Sequence, residues 1–380
     1  MENILEVALF LLAGCYFLQV SFFFFAVFPL WWVKVIPSSE QPPVSVVICG
    51  KNEAHNIRLN LPHVCRQEYP NFEVIYVDDH STDNSLEILA DMARRFQNLR
   101  VLRAPMEILE TEGKKGVLNY ARSKASNDVI LVTDADCRPA SSRWIQLMVQ
   151  HLFKEVDVVV GIGQYNRTQG PLDGLIQYET MATAISYLAF AKVGMAYMGL
   201  GRNMIYRLSS MNERAVKGDK IISGDDDLLV QAKFESNKFS PCINPHSHTY
   251  SAPPVSFKHW VAQKRRHHST AKYYRFSVVI QLFLLKASVY TPYLVLASIA
   301  LLGEPLLAVI ILLTSGLIRS IFWSRISRAL SFSRKIYFLP CYEIFFSLFD
   351  LWIALRNLIK NRQEWKKNKA YQKRPNTITG

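Results

Sequence analysis

The sequence is short of acidic residues and holds no closely paired cysteines, and each shortage excludes classes of protein. Its 44 lysines and arginines outnumber its 31 aspartates and glutamates, which leaves a formal net charge of +13. The 6 cysteines are scattered with no Cys-x-x-Cys pair. This pattern excludes a disulfide framework and a zinc site, and it suits a reducing compartment. With 16 glycines and 17 prolines in 380 residues, the chain is neither collagen-like nor of low complexity.

Hydrophobic residues are abundant instead, at 50% of the chain, and only 20% of the residues are charged. Such a composition excludes a disordered chain, because disorder needs low hydrophobicity and high charge. The apolar residues concentrate near both ends, which does not suit an ordinary soluble enzyme. A basic excess beside long apolar runs is typical of cytoplasmic juxtamembrane segments. We therefore expect an integral membrane protein with no nucleic-acid partner.

The amino-terminal residues predict a transmembrane anchor, assigned to residues 1–36. Residues 4–33 form an almost unbroken apolar run in which Glu6 is the single charge. A helix of this length spans about 45 Å against about 30 Å of hydrocarbon, so one tilted crossing fits. The acidic start and the length of the run exclude a secretory signal peptide.

The carboxyl-terminal part of the chain predicts a second membrane region, assigned to residues 276–360. Two apolar runs, 277–302 and 305–323, are long enough to cross the bilayer. The basic residues that follow the second run, from Arg319 onward, are expected to form a cytoplasmic loop.

A third apolar run, 336–355, is harder to assign because it contains Glu343 and Asp350. Charges in the hydrocarbon are costly, so a third crossing and a re-entrant segment both stay open. The basic tail, 361–380, favours a cytoplasmic carboxyl terminus. The basic and aromatic segment 256–275 predicts an amphipathic helix at the bilayer surface.

Between the membrane segments, residues 41–255 follow the pattern of an α/β domain. Short β-branched runs alternate with helical stretches, which predicts a mostly parallel sheet covered on both faces. A helix is expected to begin at Ser81, and a long amphipathic helix at 172–198 is preferred to a membrane crossing. Ligands of such sheets bind at the carboxyl ends of the strands. The expected strands are residues 44–49, 72–77, 99–104, 129–133 and 158–162.

Aspartates follow two of these strands, where a binding crevice is expected. Asp78 and Asp79 end the second strand, and Asp134 and Asp136 end the fourth. Two carboxylates at a strand end are suited to a hard divalent ion that also binds substrate phosphates. In an irregular loop the same residues would more often serve turns and caps, but their position after hydrophobic strands favours a functional role.

Two further motifs are weaker by themselves. Residues 113–116, Gly-Lys-Lys-Gly, are expected to open a helix, where backbone amides and a lysine can approach phosphate groups. Residues 225–227 are three adjacent aspartates at the expected start of another helix. They either stabilise that helix start or supply a general base, because neighbouring carboxylates raise one another's pKa.

Together these motifs resemble those of the membrane-anchored family-two glycosyltransferases. The stretches VSVVICGKNE, VIYVDDHSTDNS, GKKGVLNYA, VTDAD, SGDDDL and QKRRH occur in the order of that family, from about Val44 to His267. Each motif alone is weak, whereas six in order and spacing are specific. The resemblance implies an α/β GT-A fold, that of nucleotide-diphospho-sugar transferases, flanked by transmembrane helices.

The resemblance also implies how the donor is held. Asn52, Glu53 and Asp79 would bind the base and ribose of a nucleotide-diphosphate sugar, expected to be UDP-linked. Lys115 would approach the same nucleotide, and Asp134 would support it. The cofactor would be Mg²⁺ or Mn²⁺, with Asp136 as its metal ligand. These roles stay expectations until the fold is known.

Chemistry at the acceptor is implied in the same way. Asp225 aligns with the catalytic base of the family, although a glycine precedes it where the family has glutamate, and Asp226 is a rival. Gln263 and Arg266 match the family's Q-x-x-R-W motif near the diphosphate and acceptor. His267 replaces its tryptophan, which casts doubt on the polymer-extending activity of processive members.

The sequence thus predicts an inverting, metal-dependent glycosyltransferase that moves a sugar onto a lipid or lipid-linked glycan. Its catalytic domain is expected in the cytoplasm, at a bacterial inner membrane. Two alternatives stay open, a processive polysaccharide synthase and a non-catalytic membrane assembly or transport subunit. A ladder of products would indicate the first, and the absence of nucleotide-sugar hydrolysis would indicate the second.

Overall fold

A computed structural model describes residues 2–33, 41–211, 230–231, 235, 238–268, 274–332 and 339–359. The helices are α1 Glu2–Phe22, α2 Ala54–Cys65, α3 Ser85–Arg95, α4 Met106–Ser123, α5 Trp144–Val149, α6 Pro171–Lys192, α7 Phe257–His268, α8 Phe276–Leu301, α9 Pro305–Ala329 and α10 Leu339–Ile359. The strands are β1 Val44–Gly50, β2 Phe72–Asp78, β3 Leu99–Arg103, β4 Val129–Asp134, β5 Arg138–Pro139, β6 Val158–Val160, β7 Gly163–Tyr165, β8 Met204–Arg207, β9 Phe239–Pro241 and β10 Thr249–Ser251.

A seven-stranded sheet in the order β3-β2-β1-β4-β8-β6-β9 forms the centre of the domain. The first four of these strands are parallel neighbours, while β8 runs antiparallel to both β4 and β6. The central residues of β1 and β4 are buried on both faces, as continuous β-branched runs of parallel strands require. The mostly parallel α/β sheet expected from the sequence is confirmed.

Helix α6 joins this domain to the membrane helices. Fourteen of its residues are buried, so the helix predicted near residues 172–198 is a core element of the domain. Its Tyr178 ring stacks on Tyr342 of α10 at 4.9 Å and lies 6.2 Å from Trp323 of α9. Aromatic packing of this kind makes the domain and the carboxyl-terminal helices one continuous core.

Within the described parts of the chain, three helical segments are long and apolar enough to cross a membrane: Asn3–Trp32, Phe276–Leu301 and Pro305–Ala329. The amino-terminal half of α1 packs against α8 through a small apolar cluster that includes Leu12 and Ile299. Helix α10 does not meet the same criterion, in keeping with its two internal carboxylates.

The second crossing is longer than the sequence predicts. Helix α9 continues to Ala329, so Arg319 lies inside the helix and not in the expected loop. Its guanidinium donates to the Oε2 atom of Glu343 at 2.6 Å, and Tyr293 donates to the same oxygen. The helix continues through the arginine because a carboxylate from α10 neutralises its charge.

Two other boundaries differ from the prediction. Helix α3 begins at Ser85, because the backbone amide of Ser85 donates to Asp83 and the residues before it form a turn. The strand expected at 158–162 divides into β6 and β7, which belong to different sheets. The chain changes sheets at Gly161, where a Cβ atom would lie 2.4 Å from the Asn203 amide nitrogen. Only glycine allows that close approach.

Candidate active site

The register of the parallel strands brings the motif-bearing ends to one edge of the sheet. Gly50 of β1 lies opposite Asp78 of β2, and Cys49 lies opposite Asp134 of β4. The loops after β1, β2 and β4 therefore start at the same level. This is the edge at which ligands bind in such sheets.

Asn52 and Glu53 hold the loop after β1 against the loop after β2. The Asn52 side-chain oxygen accepts from the Thr82 amide at 2.7 Å, and the Glu53 amide donates to Ser85 Oγ at 3.0 Å. Asn52 adopts φ 58°, a conformation that asparagine tolerates better than most residues. The Asp79 amide donates to Gly50 O at 2.8 Å. The three predicted donor-binding residues thus lie together at the sheet edge.

The two carboxylates after β4 form the candidate metal centre. Asp134, Asp136 and Cys137 each offer a ligand atom within 4.8 Å of the others. Burial, together with the negative charges of Asp136 and Asp134, raises the pKa of the Cys137 thiol, which therefore stays protonated. A neutral thiol is a poor ligand for a hard cation, whereas two carboxylates suit Mg²⁺ or Mn²⁺. Asp134, which the resemblance assigns to the nucleotide, lies close enough to Asp136 to share an ion with it. The residues present therefore fit a divalent ion held by both carboxylates together with substrate phosphates.

A cavity of about 1250 Å³ opens beside these carboxylates. Asp134 and Asp136 line it, and so do Gln263, Arg266 and His267 of α7. The carboxylates after β4 and the polar residues of α7, more than 120 positions apart in the chain, therefore line the same cavity, as the family resemblance implies. Asn52, Glu53 and Asp79 do not line this cavity and lie at the neighbouring strand ends.

Arg202 is a cavity residue that no sequence motif indicated. It immediately precedes the β8 region, and its guanidinium lies over the Tyr165 ring at 4.6 Å and donates to Ser251 Oγ at 3.1 Å. Burial lowers the pKa of Arg202, but the acidic groups around it, Tyr165, Cys137, Asp134 and Asp136, outweigh this and raise it. A permanent positive charge therefore stands beside the candidate metal centre.

Helix α7 presents its polar face to the cavity and its apolar face to α10. Gln263 donates to the Tyr165 hydroxyl at 3.0 Å, and its own Oε1 is buried with no partner among the described residues. Trp260 stacks on Phe349 of α10 at 4.8 Å. A helix expected to lie on the bilayer thus has its main aromatic anchor inside the protein.

The histidine that replaces the family's tryptophan has protein on most sides, although its side chain is accessible from the cavity that it lines. Burial lowers the pKa of His267, and the positive charges of Lys264, Arg266 and Arg202 lower it further. His267 is therefore neutral near pH 7 and can accept as well as donate a hydrogen bond.

Two predicted groups cannot be assigned a position. The general-base candidates Asp225 and Asp226 lie outside the described residues. Lys115 belongs to α4, but its side chain is likewise not described. The Gly-Lys-Lys-Gly stretch lies in the middle of α4 and does not open it, which corrects the prediction. Backbone amides in a helix interior bond to the preceding turn, so they are not available to phosphate.

The family comparison agrees with this geometry. The model of the glycosyl transferase family 2 domain matches residues 45–207, from β1 to the end of β8. This segment is a family-two glycosyltransferase domain. The matched region carries both Asp134 and Asp136 and ends before α7.

Curated relatives resemble the same part of the chain. A beta-monoglucosyldiacylglycerol synthase of Nostoc sp. is 37% identical over 122 residues, which are 32% of this chain and 25% of that protein. A poly-beta-1,6-N-acetyl-D-glucosamine synthase of Staphylococcus epidermidis is 31% identical over 97 residues, which are 24% of this chain and 21% of that protein. The matches span about a quarter of the first relative's length.

Among solved structures, a mannosyltransferase from Pyrobaculum calidifontis in complex with GDP-Man and Mn²⁺ is similar with a TM-score of 0.53. The likeness covers 84% of this chain and 96% of that chain, at 20% sequence identity. At this identity the likeness concerns the fold, and it confirms the GT-A architecture expected from the sequence.

Proposed function

We propose that the protein is an inverting glycosyltransferase that moves one sugar from a nucleotide-diphosphate donor to a lipid or lipid-linked acceptor. The observation that carries the proposal is the shared cavity. Its walls combine the carboxylates after β4 with the polar face of α7, and it continues between the membrane helices. A donor at the sheet edge and an acceptor from the bilayer would meet there.

The donor would lie across the carboxyl ends of β1, β2 and β4. Asn52, Glu53 and Asp79 would contact its base and ribose, and a UDP-linked sugar is our expectation. Asp134 and Asp136 would hold Mg²⁺ or Mn²⁺. When bound, this ion neutralises charge on the departing diphosphate.

The protein's own cationic groups assist the same departure. Arg202 and Arg266 both line the cavity, and Arg202 interacts with the carboxylates, so they can stabilise the leaving nucleoside diphosphate as its charge develops. Gln263 has a buried oxygen with no partner among the described residues, and this oxygen can accept a hydrogen bond from a substrate hydroxyl.

The transfer itself is a single displacement at the anomeric carbon. An acceptor hydroxyl attacks from the face opposite the diphosphate, the new carbon–oxygen bond forms as the old one breaks, and the diphosphate leaves with the bonding electrons. The hydroxyl proton passes to Asp225, with Asp226 as the rival base. Inversion of the anomeric configuration follows from this geometry.

The membrane placement follows from the helices. Residues of all three candidate spans line the cavity, among them Phe22, Leu282 and Trp323, so we infer an integral membrane enzyme. The excess of lysine and arginine beside the apolar helices favours a cytoplasmic catalytic domain, and a bacterial inner membrane is our expectation.

The first experiment is a screen of purified full-length protein against nucleotide sugars, with released nucleotide as the readout. In the active combination, Asp136→Asn should abolish turnover and metal-dependent nucleotide binding. Asp91→Asn is a matched control, because among the described residues that carboxylate pairs with Arg94 and Arg95 on the surface of α3. Wild-type turnover of Asp136→Asn at limiting metal would contradict the proposed metal centre.

Mass spectrometry of the products tests single transfer. His267 lines the cavity where processive relatives of the family carry a tryptophan, so a growing chain has no broad apolar face on which to stack. One added sugar at every donor concentration is expected. A ladder that lengthens with donor excess would establish the processive alternative instead.

A further inference from the structure

The membrane-side half of the cavity has a different lining from the donor side. This name is used for the part of the cavity that helices α8 and α10 line, where aromatic and aliphatic side chains outnumber the charged ones. The apolar residues that face it include Val279, Leu282, Phe283, Val289, Phe346 and Phe349. Helix α8, which supplies seven of the lining residues, is one of the candidate membrane spans.

A polar cluster interrupts this apolar lining. Lys286 of α8 lies 2.5 Å from Oδ2 of Asp350 of α10, and the Tyr290 hydroxyl donates to the same oxygen at 2.9 Å. His268 at the end of α7 lies 3.7 Å from the other oxygen. A lysine inside a candidate membrane span is costly unless it is paired, and Asp350 supplies the partner at a position where both side chains line the cavity.

The charges along this half cancel in pairs among the described residues. Lys286 is matched by Asp350, and Lys264 is matched by Glu179 at 2.5 Å. Glu343, which also lines the cavity, is matched by Arg319 of α9. Balanced pairs offer hydrogen-bond donors and acceptors but no surplus positive charge, so they suit hydroxyl groups better than a phosphate.

Residues of both α1 and α8 line this half of the cavity. These helices meet where Gln19 donates to the Ser288 carbonyl at 2.6 Å. Nearer the domain, Phe22 and Phe283 line the cavity from the two helices. Phe283 is 67% exposed and Val279 is 43% exposed, so both apolar side chains are accessible to a hydrocarbon chain.

We infer that the membrane-side half of the cavity is the acceptor subsite and that it takes a neutral, hydroxyl-bearing lipid whose hydrocarbon chain lies between α1 and α8. The head would be held by the cluster of Lys286, Asp350 and Tyr290, which places its hydroxyl toward the donor. The inference rests on the proposed function and adds the chemical class of the acceptor.

An acceptor panel tests the head-group chemistry. Full-length protein in phosphatidylcholine nanodiscs is given the active donor with dioleoylglycerol, monoglucosyl dioleoylglycerol, dioleoyl phosphatidic acid or undecaprenyl phosphate. Transfer to one of the two neutral lipids should exceed transfer to either phosphate by about tenfold or more. Preferred transfer to a phosphate lipid would overturn the inference.

Changing the charge balance tests the polar cluster. Asp350→Asn leaves Lys286 with a surplus positive charge, so the ratio of phosphatidic acid to neutral-lipid transfer should rise about tenfold. Lys286→Gln combined with Asp350→Asn restores neutrality and should return the ratio toward wild type. An unchanged ratio in the single variant, with the protein folded by size-exclusion chromatography, would contradict a head-group role for the cluster.

The path of the hydrocarbon chain is tested by two neighbouring residues of α8. Val279 lines the cavity, whereas Ile280 is 41% exposed and does not line it. Val279→Trp should lower the rate of transfer to dioleoylglycerol, relative to the rate of transfer to dihexanoylglycerol, by about tenfold. The larger side chain would fill space that a long acyl chain occupies and a short one does not. Ile280→Trp, the matched control, should leave this ratio unchanged. Equal ratios in both variants would exclude this path.

Failure of the proposed function and failure of the acceptor inference give different results. If wild-type protein releases nucleotide from no sugar donor, the proposed function is wrong. If wild-type protein consumes a donor but prefers phosphate lipids, the acceptor inference alone is wrong. The same holds if Val279→Trp leaves the ratio of long-chain to short-chain transfer unchanged.

Discussion

The ion pair between Arg319 and Glu343 provides the sharpest test of how the membrane helices are held together. Both side chains are largely enclosed, at 14% and 3% exposure, and their closest atoms are 2.6 Å apart. At an effective dielectric constant of about 20, this separation corresponds to about 6 kcal/mol of attraction. Desolvation of the two charges offsets most of that, so the net value of the intact pair is small.

Removing one partner is a different perturbation, because it leaves the other charge enclosed. Arg319→Gln should cost about 3–5 kcal/mol, since the Glu343 carboxylate then keeps only the Tyr293 hydroxyl as a donor. Glu343→Gln should cost a similar amount for the uncompensated guanidinium. The double variant removes both charges, so it should be more stable than either single variant.

Thermal unfolding in nanodiscs, followed by tryptophan fluorescence, measures these differences. For a chain of this length, 3–5 kcal/mol corresponds to a Tm lower by roughly 4–6 °C. Arg325→Gln is the matched control, because Arg325 is exposed on the same helix and its loss should change stability by about 0.5 kcal/mol or less. Additive losses in the double variant would refute the coupling and with it the role assigned to α10.

Three further outcomes are expected. Asp225→Asn should lower kcat by roughly 10²–10⁴-fold and spare donor affinity, and if Asp226→Asn alone behaves in this way the base is the neighbouring residue. Burial lowers the pKa of His248 to about 4, below its usual 6.5. Below pH 6.5 this histidine binds a proton in the unfolded chain but stays neutral in the native state. The free energy of unfolding should therefore fall by about 3 kcal/mol at most between pH 6.5 and pH 4. His248→Asn should flatten that pH dependence of Tm, and an unchanged slope would exclude His248 as its source. A tag at the carboxyl terminus should be protected from protease in sealed right-side-out vesicles and cleaved in inverted ones, whereas external cleavage would establish a third crossing by α10.

Much of the candidate site could be predicted because its residues follow strands directly. Asp134 and Asp136 come after a buried β-branched run, and parallel strands bring their carboxyl ends to one edge whatever the details of packing. Arg202 could not be found in this way. It follows no strand and belongs to no motif, and only the antiparallel insertion of β8 beside β4 brings it to the carboxylates.

The membrane region shows the same division. The apolar runs predict α1, α8 and α9, because the ability of a helix to cross a membrane depends on its length and apolar composition. Both can be read directly from the sequence. Asp350 by contrast looks like a cost within an apolar run, and its partner Lys286 lies 64 positions earlier in the chain.

The local amino-acid sequence therefore determined the helices, the strands and the motifs at their ends, since these depend on residues that are close together in the chain. The tertiary structure alone decided which charges meet. Arg319 pairs with Glu343 and Lys286 pairs with Asp350 because helix packing fixes distances that the sequence does not contain. A buried charge is tolerated only where an opposite charge lies beside it, so the cost of each of these residues depends on the fold.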